Sequence, residues 1–356
     1  MRVLVVNAGS SSVKLALHDG DDVVTRDSVA PEAAGDALGV LLGERPDAVG
    51  HRVVHGGTRF TGATVVDDDV LGGIDDLGTL APLHQGPAVA ALRLAREALP
   101  GVPQVACFDT AFHTTIPAAA STYAVPRRWR DEFGVHRYGF HGLAHEWSSR
   151  RAAEIVGRPV GELRIVTAHL GSGASLCAVD RGRSVDTTMG FTPTAGLVMG
   201  TRSGDLDPSV PLYLARRGVP GIGEALDRGS GLLALAGASD IRDVLVASDA
   251  GDGDADLALD VWTHRARGLV AAMVAALGGI DVLSFSGGVG EHQPRLRARI
   301  VDGLGFLGLA LDPGRNAAAS ADAEIGAAGA TARSVVVSAQ EDLVIAREVR
   351  ELLGRV

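Results

Sequence analysis

VVNAGSSSVKLAL, at residues 5–17, is the stretch that decides the fold, because a related stretch, TAHLGSGASLCAV, occurs at residues 167–179. Both contain an apolar segment, a turn rich in Gly and Ser, and a second apolar segment, a pattern typical of two strands joined by a tight turn. Gly9 falls on Gly171, so the stretches are 162 positions apart, close to half of the 356 residues. Gly/Ser turns are common and a chance match is the alternative, but the flanking apolar segments favour a duplication.

Segments of strand and helix character alternate outside the repeat. The strand-like segments are residues 48–54, 102–108 and 281–286, and the helix-like ones are residues 87–99, 147–156, 256–277 and 341–353. Residues 247–255 are small or acidic, and we expect them to form a solvent-exposed loop. The alternation predicts two α/β domains, each built on a central sheet, with a cleft between them.

The composition is that of a globular enzyme and argues against several other classes of protein. Hydrophobic residues make up 46% and charged residues 21% of the chain, and no apolar run approaches the ~20 residues of a membrane span. The first residues lack the features of a signal peptide, so we expect a mature N-terminus and a cytoplasmic location. A net charge of −10 argues against nucleic acid as a partner. The two cysteines, Cys107 and Cys177, indicate neither a disulfide framework nor a metal motif.

The first turn, NAGSSSVK at residues 7–14, has the composition of a phosphate-binding loop. Small residues expose successive backbone N–H groups, the serine hydroxyls add donors, and Lys14, the only lysine of the chain, adds a positive charge. The Walker A spacing is absent, and an ordinary hairpin turn is the alternative for this stretch taken alone. The partner turn, HLGSGAS at residues 169–175, strengthens the prediction, since two such turns facing one cleft could hold one polyphosphate.

Further candidate positions lie where glycines meet ionisable residues. SFSGGVGEH, at residues 284–292, indicates a strand that leads into a helix N-terminus, where backbone N–H groups favour anions; a packing turn is the alternative. Residues of this kind at the ends of strands often line sites, although a core histidine or a satisfied ion pair is the alternative for each. His51 and His55 lie on a predicted strand and turn, so no zinc motif is indicated. The polar clusters are residues 51–57, 108–113, 138–142 and 200–205.

These motifs, taken in order from residues 7–14 to residues 341–346, resemble the acetate kinase family of the sugar kinase, Hsp70 and actin superfamily. The resemblance implies an α/β fold of two duplicated ribonuclease-H-like (actin-like ATPase) domains with a nucleotide cleft between them. It places an acyl and phosphate domain at residues 1–149, with a returning C-terminal helix at residues 341–356. A nucleotide-binding and dimerisation domain would occupy residues 150–340, and the resemblance implies a homodimer.

The resemblance also implies a reaction. It is the reversible transfer of the γ-phosphoryl group of ATP to acetate, giving acetyl phosphate and ADP, with Mg²⁺ or Mn²⁺ as the metal ion. A propionate kinase acting on short-chain acids is the alternative within this chemistry. A nucleotide-binding regulator without turnover is the alternative from a different class.

The functional residues of the family have counterparts at matching positions of this sequence. Asn7 and Glu341 would hold the metal ion, and Asp109, His141 and Arg202 would be catalytic. The acid would be bound by Arg52 and by four apolar-pocket residues, Val54, Leu83, Phe140 and Pro193. The nucleotide would be bound by Lys14, Ser10, Ser12, His169, Leu170, Gly171, Ser172, Gly173, Asp240, Ile241, Arg242, Gly288, Val289, Gly290, Glu291 and His292.

The sequence departs from the family pattern mainly on the nucleotide side. Ser172 and His292 each stand where the usual H-L-G-N-G and G-E-N motifs have an asparagine. Residues 339–342 are AQED in place of T-N-E-E, and residues 85–87 are QGP in place of the customary Asn-Pro. The sequence therefore defines the identity of the donor nucleotide less well than it defines the acyl acceptor.

The implied chemistry needs charge neutralisation rather than a general base. A carboxylic acid with a pKa near ~4 to 5 is ionised at pH 7, so the nucleophile already exists. We therefore expect Asp109 to orient Mg²⁺ or water rather than to remove a proton. Bringing two anions together would fall to the metal ion and to the cationic groups Arg52, Arg202, Lys14 and His141.

Overall fold

The described chain divides into two compact units, each with one six-stranded sheet. The structure is a computed structural model and describes residues 1–9, 12–30, 45–80 and 85–354, so the candidate residues Ser10 and Leu83 lie outside it. The first unit comprises Met1–Thr114, Phe140–Trp147 and Gln340–Val356, and the second comprises Thr115–Gly139 and Ser148–Ala339.

The sheet of the first unit has the strand order β3-β2-β1-β4-β6-β5. Its strands β1 and β4, and β4 and β6, pair in parallel, whereas β1 with β2, β2 with β3 and β5 with β6 are antiparallel. The bounds are β1 Arg2–Ala8, β2 Val13–Asp19, β3 Asp22–Val29, β4 Ala48–Val53, β5 Thr64–Val65 and β6 Gln104–Phe108.

The sheet of the second unit repeats this arrangement. Its order is β11-β12-β10-β7-β8-β9, with parallel pairs between β7 and β10 and between β10 and β12. The bounds are β7 Arg164–Leu170, β8 Ala174–Asp180, β9 Arg183–Thr187, β10 Val282–Ser286, β11 Ala323–Glu324 and β12 Arg333–Val336. Read from the other edge, the second order is β9-β8-β7-β10-β12-β11, so β7 to β12 take the same places in their sheet as β1 to β6 take in theirs. The predicted duplication and α/β fold are therefore confirmed.

The described helices vary from one turn to seven. They are α1 Asp68–Asp76, α2 Gln85–Ala98, α3 Ala118–Ser121, α4 Arg127–Phe133, α5 Gly142–Ile155, α6 Ser209–Arg216, α7 Ile222–Arg228, α8 Gly231–Ala236, α9 Ile241–Asp249, α10 Gly253–Leu277, α11 Gly287–His292, α12 Pro294–Val301, α13 Pro313–Ala318 and α14 Glu341–Leu353. Short 3₁₀ segments occur at Leu77–Thr79, Ala111–Thr115, Val160–Glu162 and Gly305–Leu307. None of the helices in the described ranges combines the length and apolar character that a membrane crossing requires.

Strand β1 shows how the first sheet is covered on both faces. Val3 and Val5 point to one face, where they pack with Ile345 of α14. Leu4 and Val6 point to the other face, in a cluster that includes Ala91 of α2. Because alternate residues of a strand face opposite sides, a strand buried on both faces has a continuous apolar sequence, as β1 has.

Two local expectations differ from the structure. The second Gly/Ser turn, between β7 and β8, is one residue shorter than the first, so Lys14 pairs across from Asn7 while Ser175 pairs across from His169. The gapless alignment of the two stretches is therefore wrong by one position after the turn. The expected loop at residues 247–255 is also wrong, because α9 continues to Asp249 and α10 begins at Gly253.

Candidate active site

Three candidate residues lie at the carboxyl ends of adjacent parallel strands in the first unit. Asn7 is the penultimate residue of β1, Arg52 is the penultimate residue of β4, and Asp109 directly follows β6. The ladder pairs Arg52 with Cys107, two residues before Asp109. Polar side chains meet at this edge because parallel strands all end there, the usual location of sites in α/β sheets.

The Arg52 guanidinium is the centre of a hydrogen-bonded network. Its Nε and Nη2 atoms donate to the two carboxylate oxygens of Asp109 at 2.9 and 2.7 Å, in a bidentate ion pair. Its Nη1 donates to Asn7 Oδ1 at 3.4 Å and lies 3.7 Å from Glu341 Oε2. Glu341 is the first residue of α14, so residues from both ends of the sequence meet at one side chain.

Burial and charge act in opposition on the ionisable groups of this network. Burial acts to lower the pKa of Arg52, but the charges of Asp109 and Glu341 outweigh it, so that pKa lies above its ordinary value. Burial raises the pKa of Asp109, and Glu341 adds to the increase, while the ion pair with Arg52 opposes it. The Asp109 side chain is 1% exposed, and both of its oxygens accept bonds from Arg52. This bidentate geometry is that of an ionised carboxylate.

The oxygen atoms around Arg52 fit the demands of a divalent cation. Two carboxylates, Asp109 and Glu341, face one guanidinium, so this network carries a net negative charge, and Asn7 adds an amide oxygen. Mg²⁺ prefers such oxygen ligands and is commonly held by one or two carboxylates together with substrate phosphates. Among the residues that the structure describes, no group of three His, Cys, Asp or Glu side chains could hold a metal ion alone. The expected pair Asn7 and Glu341 therefore suits Mg²⁺ shared with a phosphate ligand.

His141 lies where the backbone of α5 meets Asp109. The His141 N–H donates to the Asp109 carboxylate, and the Gly142 N–H donates to the Asp109 carbonyl oxygen at 2.9 Å. A Cβ on Gly142 would lie 2.1 Å from that carbonyl oxygen, so only glycine permits this approach. His141 itself has φ of 56°, which is rare for a residue with a side chain and is typical of functional sites.

Phe140 and Val54 provide apolar surface within the first unit. Phe140 is 1% exposed, its ring packs edge-on against His55 at 5.3 Å, and its carbonyl is 2.9 Å from His113 Nε2. Val54 is partly buried and directly follows β4. Of the four expected apolar-pocket residues, Phe140 therefore directly precedes His141, and Val54 lies two residues after Arg52.

Lys14 and Ser12 flank the first Gly/Ser turn. Lys14 is exposed on β2, directly across the ladder from Asn7. The turn is closed by a bond from the Gly9 N–H to the Ser12 carbonyl oxygen at 2.9 Å. The only lysine is thereby held beside the Asn7 end of the network.

Arg202 and Pro193 meet in the second unit. The Nη1 atom of Arg202 donates to the Pro193 carbonyl oxygen at 2.7 Å. Burial lowers the pKa of Arg202, and the charge of Asp227 opposes this. A phosphoryl-binding candidate and an apolar-pocket candidate are thus fixed to each other.

A cavity of about 420 Å³ in the second unit, which we call the glycine-lined cavity, collects half of the expected nucleotide-binding residues. Eight of them line it: Gly171, Ser172, Asp240, Ile241, Arg242, Gly288, Val289 and His292. Asp240 caps the N-terminus of α9 by accepting from the Arg242 N–H at 2.9 Å, and its carboxylate also holds the Arg242 side chain. The volume of the cavity lies within the usual range of small-molecule sites.

Other expected nucleotide residues lie outside the cavity lining. His169 Nδ1 is 3.2 Å from Ser286 Oγ, Leu170 is buried in β7, and Gly173 accepts from Gly171 within the turn. Gly290 and Glu291 belong to α11, which contributes lining residues, and their carbonyl oxygens accept bonds of 2.8 Å from Arg297 Nη1.

Several lining residues were not predicted. Trp262 and Leu232 are buried apolar residues of α10 and α8, and no sequence pattern separates an apolar residue of a cavity from one of the core. No sequence motif indicated Gln293 as a lining residue. Gly200 was part of a predicted polar cluster but was not assigned to the nucleotide, and a Cβ there would lie 2.7 Å from the Ser239 carbonyl oxygen.

Known proteins resemble this chain over nearly its whole length. The model of the acetokinase family matches residues 42–347. An acetate kinase from Leifsonia xyli subsp. xyli is 47% identical, with 97% of each chain covered. Among solved structures, acetate kinase from Porphyromonas gingivalis is similar with a TM-score of 0.90, 34% identity and 99% coverage of both chains. A propionate kinase from Francisella tularensis subsp. tularensis SCHU S4 has a TM-score of 0.90, 33% identity and 98% coverage of both.

The two acetate kinases and the propionate kinase match nearly the whole chain, so the similarity extends over both units. The resemblance noted from the motifs is confirmed. The chain belongs to the acetokinase family.

Proposed function

We propose that the protein is an acetate kinase, which transfers the γ-phosphoryl group of ATP to acetate and forms acetyl phosphate and ADP. As a member of the acetokinase family it is a phosphotransferase with a carboxyl group as acceptor. The observation that carries the proposal is the network in which Asn7, Asp109 and Glu341 surround the Arg52 guanidinium.

Arg52 is the proposed anchor for the acid. A guanidinium presents a planar fork that matches a carboxylate, and Nη1 is the nitrogen of Arg52 that Asp109 does not engage. Asp109 uses both oxygens to fix the orientation of Arg52, so we assign it a positioning role as well as the expected influence on metal ion or water. An ionised acid needs no base, and the chain only has to hold it in line with the phosphorus.

The transfer itself is proposed to be electrostatic in character. A carboxylate oxygen of acetate attacks the γ-phosphorus, the bond from phosphorus to the bridging oxygen of ADP breaks, and ADP leaves with the electron pair. Lys14, His141 and Arg202 are assigned to the phosphate oxygens, where fixed donors stabilise charge that spreads in the transition state. Asn7 and Glu341 would hold Mg²⁺, which when bound neutralises phosphate charge.

We assign the acyl and phosphate chemistry to residues 1–149 and 341–356, and nucleotide binding and dimerisation to residues 150–340, although residues 115–139 of the first range pack within the second unit. Homodimer formation is supported by exposed apolar side chains on and around α6, of which Leu212 and Tyr213 are 58% and 59% exposed. Patches of this kind on the surface commonly mark interfaces. We also propose a cytoplasmic location, and a dimer would be measured as a doubled mass in light scattering.

The closest alternative acceptor is propionate. Acetate and propionate differ by one methylene, which an apolar pocket separates by only about 1 to 3 kcal/mol. Val54, Phe140 and Pro193 favour the smaller acid, whereas the QGP sequence at residues 85–87, at the start of α2, is the local departure that could widen the pocket.

Turnover assays test the proposal directly. ATP, GTP and pyrophosphate would each be paired with acetate, propionate and butyrate, with hydroxamate formation as the readout for the acyl phosphate. We expect the highest kcat/KM with ATP and acetate. ATP binding without turnover for any pair would instead favour the nucleotide-binding regulator.

A matched pair of arginine variants tests the role of the network. Arg52→Gln is expected to lower kcat/KM for acetate about 10² to 10³-fold, the loss typical of a removed charge-stabilising donor. Arg93→Gln removes an exposed arginine of the same unit that pairs with Asp75, and should leave kinetics unchanged. Equal kinetics for the two variants would contradict the assignment.

A further inference from the structure

A second cavity in the second unit is lined by basic residues and shares no residue with the glycine-lined cavity. It has a volume of about 440 Å³ and lies against α4 and the segment that follows it. We call it the α4 pocket; its lining residues are Thr122, Arg127, Arg130, Asp131, Val135 and His136.

Arg130 is the distinctive residue of the α4 pocket. Within the described ranges of the chain it makes no hydrogen bond or ion pair, and its Nε atom is buried without a partner. A buried donor left without an acceptor costs free energy, so a ligand that brings an acceptor to Arg130 Nε would relieve this cost. Arg130 therefore offers a positive charge and unsatisfied N–H groups to the cavity.

The neighbours of Arg130 leave the cavity positively charged. Arg127 Nε donates to Asp131 Oδ2 at 3.0 Å, so the one carboxylate of the lining is engaged by the other arginine. His136 is half-buried; burial lowers its pKa, and a bond from the ring to the Gly134 backbone opposes this decrease. Thr122 adds a hydroxyl at the rim. Two guanidinium groups, one carboxylate and a hydroxyl donor favour a small anion of high charge density.

We propose that the α4 pocket is a binding site for a phosphate group, separate from the glycine-lined cavity. Guanidinium forks match tetrahedral oxyanions through paired N–H donors, and Arg130 has its donors available. The volume admits inorganic phosphate or the phosphate of a small monoester, and both present the same dianionic oxygens. This site does not depend on the reaction proposed above, because none of its lining residues is assigned to turnover.

The segment that follows the α4 pocket is bonded to the backbone directly after β9. Arg137 Nη1 donates to the carbonyl oxygens of Thr188 and Met189 at 3.2 Å, and the N–H groups of Tyr138 and Gly139 donate to the Gly190 carbonyl oxygen. His136 is therefore held by a segment with fixed backbone partners. A ligand bound at His136 and Arg130 would therefore lie beside a segment whose position is fixed by backbone hydrogen bonds.

Calorimetric titration tests the proposal with inorganic phosphate and glycerol 3-phosphate as separate probes. ADP would be kept saturating throughout so that the nucleotide cavity is filled. We expect saturable binding with a dissociation constant on the order of 1 mM, the affinity of a site with a few charged hydrogen bonds and access to solvent. Binding should weaken in 0.5 M NaCl because exposed charges are screened.

Two variants of α4 distinguish this site from general attraction to a basic helix. Arg130→Gln should weaken phosphate binding about tenfold or more while leaving the melting temperature close to that of the parent, since Arg130 has no partner within the described chain. Arg128→Gln is the matched control, because Arg128 pairs with Glu132 and does not line the pocket. It should bind phosphate like the parent.

Three results would overturn the proposal: no saturable binding of either probe, equal binding by Arg130→Gln and the parent, or an equal loss in Arg128→Gln. Binding of inorganic phosphate alone would identify the free ion as the ligand. Binding of both probes, lost together in Arg130→Gln, would show that the phosphate group is recognised whatever it is attached to.

Discussion

Arg297 is a sensitive point of the second unit, and its replacement by methionine is the prediction that we develop first. Its side chain is 1% exposed and is the largest fully buried side chain among the described residues. Nε donates to Asn316 Oδ1 at 2.8 Å, Nη2 donates to the Asn316 carbonyl oxygen at 2.7 Å, and Nη1 donates to the carbonyl oxygens of Gly290 and Glu291. Burial lowers its pKa to about 10, so the group remains a cation at neutral pH.

The expected cost of Arg297→Met follows from the four acceptor atoms. Methionine fills much of the same space but leaves these oxygens without a donor, at about 1 kcal/mol each or more. Removal of a buried charge offsets a part of this cost, and a net loss of about 3 to 4 kcal/mol remains. For a unit of this size that corresponds to a decrease of roughly 10 °C in melting temperature. Because Gly290 and Glu291 belong to α11, which lines the nucleotide cavity, KM for the nucleotide should rise more than KM for the acid.

Thermal unfolding and steady-state kinetics together test this reasoning. Arg267→Met is the matched control, since Arg267 is another partly buried arginine of the same unit but donates to a single carbonyl oxygen, that of Arg299. It should lower the melting temperature by less than half as much and leave the nucleotide KM unchanged. Equal melting temperatures for the two variants, or an Arg297→Met variant within ~3 °C of the parent, would refute the reasoning.

Three other changes have defined outcomes. Asp109→Asn should lower kcat about 10²-fold because it loosens the bidentate hold on Arg52, and near-normal turnover would contradict that role. Burial raises the pKa of Glu348 from 4.5 to about 7, so its ionisation destabilises the fold as the pH rises through this window; Glu348→Gln should gain roughly 3 kcal/mol at pH 8 and nothing below pH 4.5 in urea unfolding. Gly142→Ala places a Cβ 2.1 Å from the Asp109 carbonyl oxygen and should cost about 2 kcal/mol and most of the activity, whereas Gly268→Ala, in open space, should preserve both in the same assays.

The repeated turn predicts the fold well because strand pairing is local. β1 and β2, and likewise β7 and β8, are joined by tight turns, so the pattern in the sequence directly indicates an antiparallel pair. The one-residue error between the repeats arises because turn length is set by backbone geometry that the gapless comparison cannot detect. The helix boundaries near residues 247–255 were missed for a related reason: Asp252 caps α10 directly, so a stretch with loop-like composition is mostly helical.

The candidate site was only partly predictable from the sequence. Motifs identified Asn7, Arg52, Asp109 and Glu341, but the bidentate hold of Asp109 on Arg52 depends on the ends of two strands that lie far apart in the sequence. Charge alone is a poor guide in the second unit. Arg297 is buried within α12, whereas Arg130 lies at a cavity without a partner, and nothing in their local sequences distinguishes them.

The position of α14 has a consequence for synthesis on the ribosome. This helix covers the face of the first sheet that includes Val3 and Val5, yet its residues leave the exit tunnel after the whole of the second sheet. Since domains fold as they emerge, the second unit can close while the nascent first sheet still exposes one apolar face. The N-terminal half is therefore the later one to mature, and we expect it to be the half that chaperones protect during translation.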